Sequence, residues 1–409
     1  MSKFNGKGKL VAAIMLCAIV GQINTIASVM LTGLAADFPT ATSNDLQWVM
    51  QMGMLGGFLI SLAMTFLSRK FRKKPMILIG EFLILIGGAV PILIHNNLYL
   101  LWVCALVVGI GQGFITPLLG SLILLNFEGE TQNKVLGLNS FFGTGGAAVL
   151  SAVAGIVATT GWINVYYIYF LVIPVIIGTL LLMPMDPKPS EMFAPEQKSK
   201  SPVPLVGVIQ CVLAVLIMIS YATFPLNLSF VVEGGGLGTA AEVGYGMTAV
   251  TVVGALVGLF LNQIIKVCKL FVAGVGCVFG LAATLCVVFA PNIIVIYIAA
   301  LLDGVFFGIV MAAGGYVIGR IVEPDQMAST FSLSMSFVSL GTVFSPTIMN
   351  GITGLWSSFD PVTQIPDFAH DAFVTSAVWF AVVMVLEFIW GAYLTKRFPE
   401  KAPEGAAKG

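Results

Sequence analysis

An all-α polytopic membrane protein, with twelve transmembrane helices in two pseudo-symmetric six-helix halves, is the fold class the sequence predicts, on three observations. The first is composition: 58% of the 409 residues are hydrophobic and 9% charged, whereas about a quarter of a soluble domain is charged. The second is spacing. Apolar runs fall at about 10–32, 46–68, 75–94, 98–125, 136–159 and 164–183, then at about 205–227, 242–265, 270–290, 293–319, 328–352 and 373–395. Each is long enough to cross a hydrocarbon core of roughly 30 Å. The third is charge placement: with a cytoplasmic N-terminus, all 19 Lys and Arg fall on the inner side, which is the positive-inside rule for an even helix count. A net charge of zero then reports topology and gives no hint of an acidic partner.

The expected division is a first half at 1–184, a cytoplasmic linker at 185–204, a second half at 205–396 and a cytoplasmic tail at 397–409. The linker, MDPKPSEMFAPEQKSKSPVP, is Pro-rich and charged, without periodicity. Lys3, Lys7 and Lys9 ahead of the first run mimic a signal peptide, but the run is too long for one, so a retained helix is expected. The six cysteines lie in or beside spans with no CxxC pair, as apolar packing residues do. Sliding the second half by about 195 residues lays ALLDGVFFG over ALVVGIGQG, Glu323 over Glu128 and Lys269 over Lys74, the mark of an internal duplication.

In chain order, the first helix carries Gln22, Asn24, Thr25, Ser28 and Thr32. At about 100° per residue the last four share one face, suited either to interhelical hydrogen bonds or to substrate contact. The second helix holds the small pair Gly53 and Gly57 and ends in the bases Arg69, Lys70, Arg72, Lys73 and Lys74. Glu81, in the third, is placed to reach back and anchor those bases. The fourth puts Gln112, Gly113 and Thr116 on one face, with Pro117 expected to kink it. In the seventh, Ser220, Thr223 and Asn227 share a face and Pro225 breaks the outer end. Glu387 in the twelfth is placed to pair with bases at the inner end.

The tenth run, IIVIYIAALLDGVFFGIVMAAGGYVIG, contains Asp303 near its middle. A carboxylate there costs roughly 2.5–3.5 kcal/mol on insertion scales, so it needs a partner, a cavity or a proton. Asp303, Phe307, Val310 and Gly314 share one face, beside a stripe of Gly304, Gly308, Met311 and Gly315 that invites close helix contact. In the duplication Asp303 stands over apolar Val108. Either it carries a proton or cation, or it hydrogen-bonds a Ser or Tyr and fixes the bundle.

The helix count, the halves and the loop pattern resemble the major facilitator superfamily over nearly the whole chain. Several segments are similar to its drug:proton antiporter branch: LQWVM at 46–50, GWINVYYIYFLVIPVIIG at 161–178, and FRKKP at 71–75, which matches the tail of the loop motif G-x-L-A-D-R-x-G-R-K. The chain departs where that motif has Gly, Asp and Gly, having Thr65, Arg69 and Arg72. Gly109 replaces the branch's helix-four Arg, although Gln112 and Gly113 match, and GTGGAAVLSAVAG lacks the Pro of the antiporter signature.

The resemblance implies that the first, fourth, seventh and tenth helices line a central cavity. Asn24, Thr25, Ser28, Gln112, Thr116, Ser220, Tyr221, Thr223, Phe307 and Met311 are then expected to contact substrate and Asp303 to couple protons, while Glu81, Arg69, Arg72 and Lys73 anchor the gating loop. With no Lys or Arg deep in a span, multivalent anions would lack a countercharge. The function implied is alternating-access transport of a small neutral or cationic organic solute, proton-coupled, including drug or metabolite efflux. An uncoupled facilitator or a lipid flippase would use the same fold. An enzyme is not expected, because His95 and His370 lie in different outer loops and no catalytic set stands at working spacing. No cofactor, metal or nucleic-acid motif is present. The expected partners are the solute, protons and the lipid bilayer, with a monomeric chain in the plasma membrane and both termini cytoplasmic.

Overall fold

The computed structural model describes residues 7–185 and 203–398. The expected linker, apart from its ends, and the end of the tail lie outside the described residues, as does Lys3. Among the described residues there is no strand, and twelve helices are long and apolar enough to span a membrane. They are α1 (Gly8–Val29), α2 (Ser43–Met64), α3 (Lys73–Leu93), α4 (Leu98–Asn126), α5 (Gly129–Ala158), α6 (Trp162–Leu182), α7 (Leu205–Gly234), α8 (Ala240–Leu259), α9 (Leu261–Val288), α10 (Ile293–Ile321), α11 (Ser329–Thr353) and α12 (Ile365–Arg397).

The duplication shows in the caps. Thr42 and Asp45 form a capping box at the start of α2, and Thr239 and Glu242 form its counterpart at α8. Asn97 accepts from the Tyr99 amide to cap α4, and Asn292 accepts from Ile294 and Val295 to cap α10. Each supplies an acceptor to amides that the first helical turn leaves without partners. Glu128 and Glu323 occupy the matching cap positions ahead of α5 and of the helix that contains α11.

Glycine contacts repeat the pattern. A Cβ at Gly109 would overlap the Gly53 carbonyl, and one at Gly113 would come 2.8 Å from the Gly57 carbonyl, so α4 lies directly on α2. In the second set, Gly304 and Gly308 bring α10 onto α8, with a Cβ there meeting the Val250 and Gly254 carbonyls at 2.8 and 2.6 Å. That is the close helix contact expected of small residues. A Cβ at Gly315 would meet only the Phe331 ring, at 3.6 Å, so only the first half of the α10 stripe is used this way.

Four spans are irregular, among them α6, whose Trp162–Leu171 stretch is a 3-10 helix. In α1 the residues Ile23–Val29 form a 3-10 helix. In α7 the helix stops at Tyr221 and resumes at Thr223. Pro225 has no N–H for the Tyr221 carbonyl, so the interruption lies one turn ahead of the proline. The eighth span ends at Leu259, short of the expected 265, and a short helix Leu261–Cys268 follows. Leu261, Ile264, Ile265 and Cys268 share one face of it, opposite Asn262, Gln263 and Lys266, as in a helix lying in an interface. By contrast α4 stays continuous across Pro117, and the α11 helix across Pro346.

Helices α1–α6 contact chiefly one another, as do α7–α12, and the two sets meet along α2 with α11 and α5 with α8. At the end of the bundle away from both termini, these seams are closed. There Gly155 and Gly244 bring α5 and α8 together, each Cβ position 2.8 Å from the other's Cα. Thr248 donates to the Ala148 carbonyl at 2.8 Å, and the Ser43 amide to the Pro361 carbonyl at 2.9 Å.

Candidate functional site

A layer of uncharged side chains completes that closure. Gln47 on α2, wholly buried, donates to Asn227 Oδ1 on α7 at 2.8 Å and accepts from Asn350 Nδ2 on α11 at 2.8 Å. Thr32 Oγ1 and Ser229 Oγ lie 2.7 Å apart, and Gln51 donates to the Thr342 carbonyl. Below this layer lies a central cavity of about 500 Å³, bordered by α1, α2, α5, α7, α8, α10 and α11. A cavity of about 630 Å³ between α1, α2, α4 and α11, and one of about 210 Å³ between α1, α4 and α5, continue toward the end that carries the termini. Gln22 borders all three. A further space of about 660 Å³ between α7, α11 and α12 is apolar and opens sideways, with Val378 63% exposed; it belongs to the lipid-facing surface.

The predicted residues divide. Thr25, Tyr221, Phe307 and Met311 line the central cavity. Gln112 and Thr116 line the neighbouring one, and Gln112 donates to the Gly21 carbonyl at 3.3 Å. That carbonyl is free because the Thr25 amide bonds to Gln22 instead, as a 3-10 turn requires. Asn24 turns to α2, donating to the Met50 carbonyl at 3.4 Å and lying across Gly53. Ser28 is buried and donates to the Thr25 carbonyl at 3.0 Å. Angles drawn at 100° per residue do not hold in a stretch with 3.0 residues per turn, which separates Asn24 from Thr25 and Ser28. Ser220 bonds Ser376 on α12 at 2.9 Å. Thr223 is buried, and its hydroxyl has no partner among the described residues.

Asp303 is 2% exposed, and its Oδ2 has no hydrogen-bond partner among the described residues. It is not among the residues that line the three cavities. It lies near the Tyr221 phenol. The Tyr221 ring stacks on Phe307, centroids 5.1 Å apart and planes at 21°, and Phe306 meets Tyr221 at 5.7 Å. The acid therefore sits behind an aromatic layer whose front, Tyr221 and Phe307, faces the cavity.

Glu81 is placed elsewhere than at the basic loop. Thr179 on α6 donates to its Oε1 at 2.6 Å, Cys17 on α1 donates to the same oxygen at 3.3 Å, and Oε2 has no hydrogen-bond partner among the described residues. Of the bases it was expected to hold, Lys73 is buried, Arg72 is half-buried ahead of α3, and the Arg69 side chain lies outside what is described. Lys74 donates to the Leu180 and Met183 carbonyls at the end of α6, where a cation meets the negative end of the helix dipole. Glu387 is buried near Cys277 of α9, and its Oε1 is without a partner among the described residues.

Sequence reasoning missed Gln22, Gln51, Met50, Met54, Met218 and Met247, all of which line the central cavity, together with Gln47. The signal was present for the glutamines, since Gln47 and Gln51 are one turn apart on an otherwise apolar helix face. No group of three or more His, Cys, Asp or Glu side chains that could hold a metal is found among the described residues. The acids between α11 and the first turns of α12 are engaged locally, Ser357 donating to Asp371 at 2.7 Å and the Val362 amide to Asp360 at 2.8 Å.

The fold has counterparts among solved structures. It is similar to a mutant of the nucleoside transporter NupG, at 10% identity and TM-score 0.77 over 93% of this chain and 99% of that one. A bacterial homolog of the human lysosomal transporter Spinster, inward-facing and unoccupied, is similar at 13% identity and TM-score 0.77, over 97% and 99%. The D-xylose-proton symporter is similar at 15% identity and TM-score 0.68, over 95% and 98%. At such identities the likeness is one of fold. No curated protein matches the chain in sequence. A family model described as Major Facilitator Superfamily matches residues 11–283 and 211–409. Taken with twelve spans around a cavity sealed at one end, that match makes the chain a member of the major facilitator superfamily of membrane transporters.

Proposed function

We propose that the protein is a secondary active transporter that carries a small neutral or cationic organic solute by alternating access, coupled to protons through Asp303. The observation that carries this reading is a cavity of about 500 Å³ with no charged lining residue, sealed on one side by the Gln47 layer, with a buried carboxyl behind its aromatic wall. A multivalent anion would be desolvated there without a countercharge. A carboxyl with an unpartnered oxygen can take up and release a proton as access alternates. The proton symporter and nucleoside transporter among the similar folds are compatible with this reading. The matched family model covers the superfamily as a whole and singles out no drug-exporting branch.

In the same reading, residues 1–184 and 205–396 form the two moving halves and 185–204 the linker between them. The clustering of the described bases at the end bearing the termini supports a cytoplasmic location for that end, in which case this conformation is inward-facing. The test is transport in proteoliposomes. Asp303→Asn is expected to abolish accumulation driven by a pH gradient while solute exchange at equilibrium persists; unchanged accumulation would rule out the coupling role. A facilitator or flippase on the same fold predicts a flux indifferent to a proton ionophore.

A further inference from the structure

Five methionines, Met50, Met54, Met218, Met247 and Met311, reach the central cavity from four helices, alongside the stacked rings of Tyr221 and Phe307. Thioethers are soft and unbranched, and they meet aromatic edges favourably. A ring laid on Phe307 or Tyr221 would extend an existing stack, the offset arrangement that aromatic quadrupoles prefer. Such a wall suits a flat apolar body and offers a polyol no stacking surface to exploit.

The polar groups of the cavity add a second constraint. Four of its hydroxyls donate to carbonyls of their own helices: Thr25 to Gln22 at 3.0 Å, Thr251 to Met247 at 2.9 Å, Ser339 to Met335 at 2.9 Å and Thr342 to Val338 at 3.0 Å. A carbonyl only accepts, so each hydroxyl hydrogen is spent and each oxygen turns lone pairs to the cavity. Gln51 spends one of its two amide hydrogens on the Thr342 carbonyl and leaves its own carbonyl to accept. The lining thus turns several acceptors to the cavity, beside the Gln22 amide and the Thr144 and Tyr221 hydroxyls, which can also donate, and no charged group, Asp303 included, is part of it.

We propose, building on the transport reading above, that the central cavity binds an uncharged, planar aromatic solute that presents N–H donors. The ring stacks on the Tyr221–Phe307 wall among the methionine sulfurs, and its N–H groups are read by the hydroxyl and Gln51 oxygens. Charge plays no part in recognition, so an anionic analogue is rejected for want of a countercharge, and a polyol for want of an aromatic face.

The test is isothermal titration of the full chain in lipid nanodiscs, with empty nanodiscs subtracted. The probes are indole, its isostere benzofuran, indole-3-acetate and D-glucose. Indole is expected to bind about tenfold more tightly than benzofuran, which keeps the shape and loses the N–H, and more tightly than the other two. Phe307→Leu is expected to weaken indole and benzofuran alike. The triple change Thr251→Val, Ser339→Ala, Thr342→Val is expected to bring indole down to the level of benzofuran. Equal binding of indole and benzofuran, preference for the acetate or the sugar, or no indole binding at about 1 mM overturns the proposal; these comparisons use the native chain and stand even if a variant fails to fold. Indole binding as described without flux of any solute in proteoliposomes would sink the transport reading and leave this site standing. Uptake of D-glucose driven by a pH gradient would do the reverse.

Discussion

A single methyl group separates two kinds of glycine in α4. At Gly109 it would overlap the Gly53 carbonyl of α2, whereas at Gly120 it would meet nothing within 4 Å. Gly109→Ala is therefore expected to destabilise the bundle by about 1–3 kcal/mol or more, and Gly120→Ala to stabilise it by about 0.5–1 kcal/mol by restricting the unfolded chain. Thermal unfolding in detergent, variant against native, checks both signs. The Glu81 site gives a third case. Thr179→Val leaves the buried Oε1 with only the Cys17 thiol as donor, an expected loss of about 1–3 kcal/mol by the same assay. At this scale the sequence was informative about which residues are unusual and poor on what they touch. Glu81 stood out as an acid in a span, but nothing in the linear order says that a threonine in the sixth helix faces it.

Among the elements, α2 connects most widely, through Gln47 to α7 and α11 and through Gln51 to α11. Gln47→Leu keeps the volume and removes two buried hydrogen bonds between neutral groups, each worth about 1 kcal/mol. The equilibrium is expected to move roughly thirtyfold toward the form open at that end. A Ser229→Cys reporter, buried in the closed form, should then react faster with a membrane-impermeant maleimide; an unchanged rate would show that the layer does not hold the seam. Elements were also where sequence reading failed most. Hydropathy located every span, since apolar length is all that crossing a bilayer demands. It could not show that Ile23–Val29 winds as a 3-10 helix, because that change depends on how α1 meets α4 and α2. The polar stripe assigned to α1 therefore dissolved into Thr25 at the cavity and Asn24 and Ser28 against neighbours.

For the whole molecule, the duplication read from a loose alignment reappears as matched caps, Thr42 with Thr239 and Asn97 with Asn292, so architecture was largely legible. The cavity was less so: four helices were expected to line it, yet α2, α5, α8 and α11 contribute, because lining depends on the conformation caught. Cysteines at Thr32 and Ser229, whose oxygens lie 2.7 Å apart, should form a disulfide in a background without the six native cysteines. That link is expected to stop transport until a reductant is added; transport by the fully linked protein would show that this seam need not open. The seal that it would fasten is made of glutamine, asparagine, serine and threonine, with no ion pair among its bonds. Salt screens charges over about 10 Å at 0.1 M but leaves bonds between neutral groups nearly untouched. The balance between the closed and open forms should accordingly hold steady as the ionic strength at that face rises and falls.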